Sequence, residues 1–484
     1  YALDGGSVTL LLDSEVALLE GNVRLNGVPF AGTYRHNFRP DAETLRVVNM
    51  RGRVDDADRA ALGMVDPIDI DGPVDVVLDM SQSADETMTW NVVVDLAPSA
   101  IDFPLIGIDK AVGDAGRAAL RLVDDGGAFL YLEAIELDIA STVVEGSGVL
   151  RSGDASLSRL DLTQFVFGRS DFSGAVSVRE DDVFDVTLSG GTVDMEPLME
   201  DVAASSGPTL PSFQIRGVLD RIWITDNDTV QNVHIDGTYV EDRWEALAIT
   251  GAIENETPMS VTIWRFSPDE RRFEYNAGNA GDAIRAFGLF DNATGGALQI
   301  RARIDDSDPE TPADGAIRME GFVLKEAPIL TEITSSASLT AMVSALTEGG
   351  LEFDGALMPF HKEGDVVTLY DARVFGPSIG ITIGGTVDLG TDQLDLAGTL
   401  VPAYMFNSAL GEIPLLGDIL TGTEEGGGIF AFAFDVTGHR DEPEVIVDPL
   451  SVLAPGILRN MFTAPTDDEV ERIIEQGNKP EGGR

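Results

Sequence analysis

Apolar and polar residues alternate along most of this chain, and that period of two excludes a helical protein. Trp90-Asn91-Val92-Val93-Val94-Asp95-Leu96, Phe184-Asp185-Val186-Thr187-Leu188, Gln393-Leu394-Asp395-Leu396-Ala397-Gly398 and Phe430-Ala431-Phe432-Ala433-Phe434-Asp435-Val436 each put oily side chains on one face of a strand. Glycines punctuate such segments every ten to fifteen residues or so in many stretches (Gly21, Gly27, Gly52, Gly146, Gly174, Gly190, Gly217, Gly237, Gly251), a spacing that reads as the turns of meandering hairpins. A degenerate unit also recurs, as Gly52-Arg53-Val54-Asp55, Gly191-Thr192-Val193-Asp194 and Gly385-Thr386-Val387-Asp388. It is too loose for a propeller register and suits similar strands laid side by side.

Helical patterning is confined to 57–62, 196–204, 281–290, 329–346, 404–420 and a polar terminal helix at 467–475, followed by a frayed tail at 477–484. The acidic, proline-containing segment 305–314 reads as an exposed connection.

The chain has 484 residues and is 43% hydrophobic, enough for large buried cores. Its formal charge of -51 repels nucleic acid, which excludes that partner. Only four lysines (Lys110, Lys325, Lys362, Lys479) stand among its 32 basic residues, and acidic residues are scattered rather than gathered in a tail. A solvated acidic exterior is the plain reading; adaptation to salt and bridging by divalent cations are two sharper ones. Without cysteine there are no disulfides, no thiolate zinc site and no cysteine nucleophile, which fits a reducing cytosol or an oxidising periplasm alike. No apolar run reaches the ~20 residues that cross a bilayer as a helix. The chain begins at Tyr1, close to a strand pattern at 6–12, so an upstream segment carrying any membrane anchor is expected.

The residues of chemistry are sparse. Gly376-Pro377-Ser378-Ile379-Gly380 fits the G-x-S-x-G nucleophile elbow, but strand-like Ile381-Thr382-Ile383 follows where a helix is required, and His439 is the only later histidine. The four histidines, His36, His234, His361 and His439, have no near neighbour of their kind to make a local zinc site. Asp66-Pro67-Ile68-Asp69-Ile70-Asp71-Gly72 has the look of a calcium loop and lacks its ligands at the first and twelfth positions. No phosphate loop or dinucleotide fingerprint is present. The reading is of a non-enzyme without a metal or cofactor, and it leaves two possibilities open: a scaffold whose working part is its apolar face, or an ordinary β-sandwich or barrel core, since alternation shows one buried face without saying what covers it.

Gly398-Thr399-Leu400-Val401-Pro402-Ala403-Tyr404, Asn407 and the run Gly411-Glu412-Ile413-Pro414-Leu415-Leu416-Gly417-Asp418-Ile419-Leu420-Thr421-Gly422 closely resemble the AsmA-like C-terminal region. So do Val436-Thr437-Gly438 and Val445-Ile446-Val447-Asp448-Pro449-Leu450-Ser451-Val452-Leu453-Ala454-Pro455-Gly456-Ile457-Leu458-Arg459. Upstream, Arg51-Gly52-Arg53-Val54-Asp55-Asp56-Ala57-Asp58-Arg59-Ala60-Ala61-Leu62-Gly63, then Val94-Asp95-Leu96 and Lys110, look like the YhdP-type branch of the AsmA-like superfamily. The similarity spans nearly the whole chain, strongest over 273–462 and thinner over 207–256. Two departures, Asn279-Ala280-Gly281 in place of Asp-Ala-Gly and Asp448-Pro449 in place of Asn-Pro, keep turn-forming residues.

The resemblance implies a mainly β protein, a long, twisted, open antiparallel β-groove with a few short helices towards its C-terminal end. It implies a periplasmic lipid-transfer bridge, anchored in the inner membrane through a segment upstream of this chain, that carries phospholipid towards the outer membrane in support of outer-membrane biogenesis. Its partners are phospholipid, both membrane surfaces, and an outer-membrane or periplasmic protein. Roughly 25 to 30 strands are expected, divided as a groove segment over 1–270, the AsmA-like region over 271–462 and a terminal helix and tail over 463–484. Val92, Val94 and Leu96, then Phe184, Val186 and Leu188, then Leu394 and Leu396, and finally Phe430, Phe432 and Phe434 are expected to line the groove and bind lipid. The segments 329–346 and 404–420 are expected to plug or gate its distal end, to dip into a membrane interface, or to cap strand edges. Two rivals are an envelope structural or adhesion protein with a closed apolar core, and a hydrolase using Ser378.

Overall fold

The computed structural model describes residues 3–63, 69–103, 108–195, 210–226, 228–253, 256–286, 292–337, 339–402, 429–453 and 466–476. Strands make up 67% and helices 10%, so the chain is mainly β, with one open sheet of 25 strands that does not close into a barrel. Within each unit strands pair antiparallel, mostly with their sequence neighbours, from Leu3–Leu12 on Val16–Leu25 to Ser170–Val178 on Phe184–Asp194 in one and from Thr229–Val240 on Arg243–Ile253 to Ile429–His439 on Glu444–Leu453 in the other. Such a meander follows from short links; Asn26-Gly27 and Glu241-Asp242, both pairs at positive φ, make two-residue hairpin turns.

Most of the glycines that read as turn markers lie inside strands. Gly21, Gly52, Gly146, Gly174, Gly190, Gly217, Gly237 and Gly251 are strand residues, and of that set only Gly27 sits in a turn. A Cβ at Gly146 would stand 2.4 Å from the Asp161 carbonyl oxygen, and one at Gly174 would stand 2.4 Å from that of Thr187. At both positions the neighbouring backbone comes too close for any side chain.

The chain divides into two compact units, one of Tyr1–Pro197 with Leu210–Ile222 and one holding Trp223–Arg484. In the first unit a small module interrupts the meander. Helix α1 (Asp56–Ala61) is capped by Asp55, whose carboxylate accepts from the Asp58 N–H while Asp58 accepts from the Asp55 N–H. Beside it, strands Asp69–Asp71, Ala100–Phe103 and Ile108–Lys110 form a separate three-stranded sheet. Two buried cations fasten this module. Arg59 donates to the carbonyl oxygens of Ile70 (2.6 Å) and Gly72 (2.9 Å), and the Lys110 ammonium donates to those of Ser99 (2.7 Å) and Ala111 (3.1 Å).

The second unit carries the remaining helices. Helix α2 (Ala280–Ala286) begins at Asn279, whose side chain accepts from the Asp282 N–H (3.1 Å), and lies so close to its neighbour that a Cβ at Gly281 would stand 2.4 Å from the Ala293 oxygen. Helices α3 (Pro328–Ser336) and α4 (Thr340–Glu348) meet each other and turn Leu330, Ile333 and Leu346 inward. Helix α5 (Asp467–Gln476) is docked on the sheet. Asp448-Pro449 lies within a strand, at a register shift opposite Ala431/Ala433, where a residue without an N–H is tolerated. The segments 196–204, 287–290, 404–420 and 477–484 lie outside the described residues.

Candidate functional site: an apolar sheet face

Antiparallel partners directly opposite one another point to the same side of a sheet, so the register shows which side chains share a face. In the first unit Val92 opposes Leu120, Leu120 opposes Ile135, and the row continues through Gly146, Leu162 and Gly174 to Leu188. In the other direction it runs through Leu78 and Met50 to Gly32 and Gly21. A parallel row carries Leu10, Leu19, Tyr34, Val48, Met80 and Trp90, and on its far side Val176 faces Val186. From Leu3–Leu12 to Phe184–Asp194, twelve strands of the main sheet therefore share one apolar face. At about 4.8 Å per strand that is a track on the order of 55 Å within this unit.

The opposite face is mixed, with polar rows among apolar residues such as Leu11, Val77 and Tyr131. Asn49 opposes Asp79, Asp79 opposes Asn91, and Asn91 opposes Arg121, linked by an Asn49–Asp79 hydrogen bond of 2.5 Å and an Arg121–Glu133 pair at 2.6 Å.

One end of the apolar face is sealed. Ile101 and Ile108 of the small sheet pack on Val28, Val54, Val74, Leu96 and Ile139, all buried. Toward the other strand ends, Val92, Phe184, Val186 and Leu188 are half-buried, as is Val94 next to the seal. The expected lining residues thus separate. Leu96 is 4% exposed and belongs to the packed seal, because it stands just past the strand Met88–Asp95 where the module folds over the sheet. The upstream residues that carry the family resemblance, Val54 to Leu62, Val94, Leu96 and Lys110, converge on this one module.

The second unit has its own apolar face. One row runs Val436, Leu396, Gly385, Leu369, Phe360, Gly315, and on through Ala302 and Phe273 to Ile263 and Leu247. Leu394 and Leu396 are half-buried on this face. A second row, Phe432, Leu400, Ile381, Val374, Ala356 and Met319, is almost wholly covered, and Phe432 and Phe434 are only 8% and 4% exposed. These two phenylalanines are packed core residues rather than open lining. Phe430 holds a place in the strand Ile429–His439, with its side chain outside the described set. Phe360 lies over Gly315, where a Cβ would meet its ring at 2.5 Å.

Sequence reasoning missed Leu78, Leu120, Ile135, Leu162, Leu369 and Ile263. The same alternation marks them, and only the register ties them into rows.

No nucleophilic site is assembled around Ser378. It sits in the turn before strand Ile379–Asp388, while His439 opposes Gln393, which opposes Asp388 at the far end of that strand. About nine residues of strand, on the order of 30 Å, separate them, far beyond a hydrogen bond. Among the described residues no cluster of three or more His, Asp or Glu is placed to hold a metal ion, and no helix is long and apolar enough to cross a membrane. Comparison with protein-family models and with curated proteins gives no match to this chain.

Proposed function

We propose that the apolar faces carry lipid acyl chains, and that the protein is a bridge-like transfer protein of the bacterial envelope. The observation that supports this most directly is the row of apolar residues that the pairings carry from Leu10 to Val186 across local register shifts, exposed at Leu10 and half-buried at Val186 away from the sealed end. Releasing a sixteen-carbon chain into water costs on the order of 13 kcal/mol at ~0.8 kcal/mol per methylene, so a carrier must keep it covered throughout. A sheet curled around the chain on its apolar side would do that while leaving the headgroup in solvent and letting the chain slide between equivalent rows. The cargo class, phospholipid, and the setting, a periplasmic protein anchored in the inner membrane and supplying the outer membrane, follow from the AsmA-like resemblance. The protein works without a catalytic residue or cofactor on this reading.

Native mass spectrometry and lipid extraction of the purified chain test it. Phospholipid bound to the folded protein is expected. A protein free of lipid that also fails to take up a fluorescent phospholipid from vesicles would reduce the apolar faces to structural cores.

A further inference from the structure

The face of the second unit opposite its apolar rows carries a feature that lipid carriage does not use. Arg318 opposes Leu357, and Leu357 opposes Arg373, so two guanidinium groups flank a leucine across three adjacent strands; Arg301 and Ala316 extend the patch by one strand. In a chain of charge -51 this is a local concentration of positive charge around an apolar centre. Helix α5 fills it. Thr466 caps the helix through its hydroxyl, Val470 and Ile474 bury against Ala316 and Leu357, and Asp467, Glu469 and Glu471 reach Arg318 (2.5 Å), Arg373 (2.6 Å) and Arg301 (2.7 Å). The ten-residue helix is too short to persist alone and draws its order from the patch.

We propose that these four strands form a docking site for an acidic amphipathic helix of a partner protein, occupied in the free chain by its own C-terminal helix. Two observations on the helix define the ligand: carboxylates at 467, 469 and 471, and apolar residues at 470 and 474. Any helix with that pattern fits, and the chain's own copy competes with it at an effective concentration on the order of 1 mM.

The probe is a fluorescent peptide of residues 466–476, added to the full chain and to the full chain carrying Val470→Asp and Ile474→Asp, which unseat the resident helix. The unseated chain is expected to bind the peptide at least ~tenfold more tightly than the unaltered one. Adding Arg318→Glu and Arg373→Glu should abolish that binding, and a peptide with Asp467→Arg and Glu469→Arg should restore it. No binding to an unseated chain whose circular dichroism is unchanged overturns the proposal, as does binding indifferent to the arginine changes. Hydrogen exchange on the unaltered chain guards against a misfolded variant. Amides of α5 should open well before those of strand Leu351–Glu363, and exchange of both at one rate also overturns it. A dimer dissolved by the peptide would assign the seat to a second copy instead.

Discussion

The ring of Phe434 reaches over Gly398 on the neighbouring strand: a Cβ at Gly398 would stand 2.3 Å from the Phe434 Cζ and 2.3 Å from the Thr382 oxygen. Phe360 does the same over Gly315, so at both places a ring occupies the space that a side chain on the glycine would need. A valine at an ordinary strand glycine gains β propensity; here it meets both a ring and a backbone oxygen. Gly398→Val is therefore expected to destabilise the protein by about 1–3 kcal/mol, read from the urea midpoint at constant slope. A neutral or stabilising result would show that the ring has somewhere else to go.

Val186 and Phe432 were equivalent as alternating positions, and the structure makes them different tests. Val186 is half-buried and Phe432 is 8% exposed beneath other residues. Val186→Asp should leave circular dichroism unchanged and lower co-purifying phospholipid severalfold, because an ionised carboxylate on the track opposes an acyl chain while remaining hydrated. Phe432→Asp should instead unfold the second unit. Equal lipid content in wild type and Val186→Asp would detach this part of the face from the cargo.

Alternation is a local property, so the strands, the mainly β class and the short helices at 57–62, 329–346 and 467–475 were legible from residues alone. What alternation does not carry is depth. Val92 and Leu96 belong to one alternating run, yet one is half-buried and the other sealed, because the covering residues Ile101 and Ile108 come from a module whose docking no periodicity announces. The glycines misled for a related reason: a turn and a close strand approach both favour glycine, and only the register separates Gly27 from Gly146. The seat of α5 depends on pairs between residues 96 to 170 positions apart, which no local pattern encodes.

The seal and the open face should respond differently to truncation. Ile101 is 1% exposed amid Val54, Val74 and Leu96, so Ile101→Ala removes buried methyl groups and leaves a cavity. A loss of about 2–5 kcal/mol is expected. Val92→Ala, on a half-buried row, should cost less than ~1.5 kcal/mol. Thermal denaturation of the two variants under one condition checks the ordering, and its reversal would mean that the row through Val92 is as tightly packed as the seal.

Tyr275 reports on how well the second unit excludes water. It stands on the apolar face between Val261 and Ile300, 4% exposed, and burial pushes its phenol up to about 12 from an ordinary value of 10.0. The folded chain therefore holds a proton that the unfolded chain releases between those limits. Stability linked to this group is fully present below about 10 and falls as pH rises toward about 12. Phenolate absorbance in the near ultraviolet should show one tyrosine ionising last, with unfolding close behind, and Tyr275→Phe should delete that step without loss of stability at neutral pH. If water reached this part of the face, Tyr275 would titrate near its ordinary value of 10.0, and the row from Val261 to Ile300 would have to be wet.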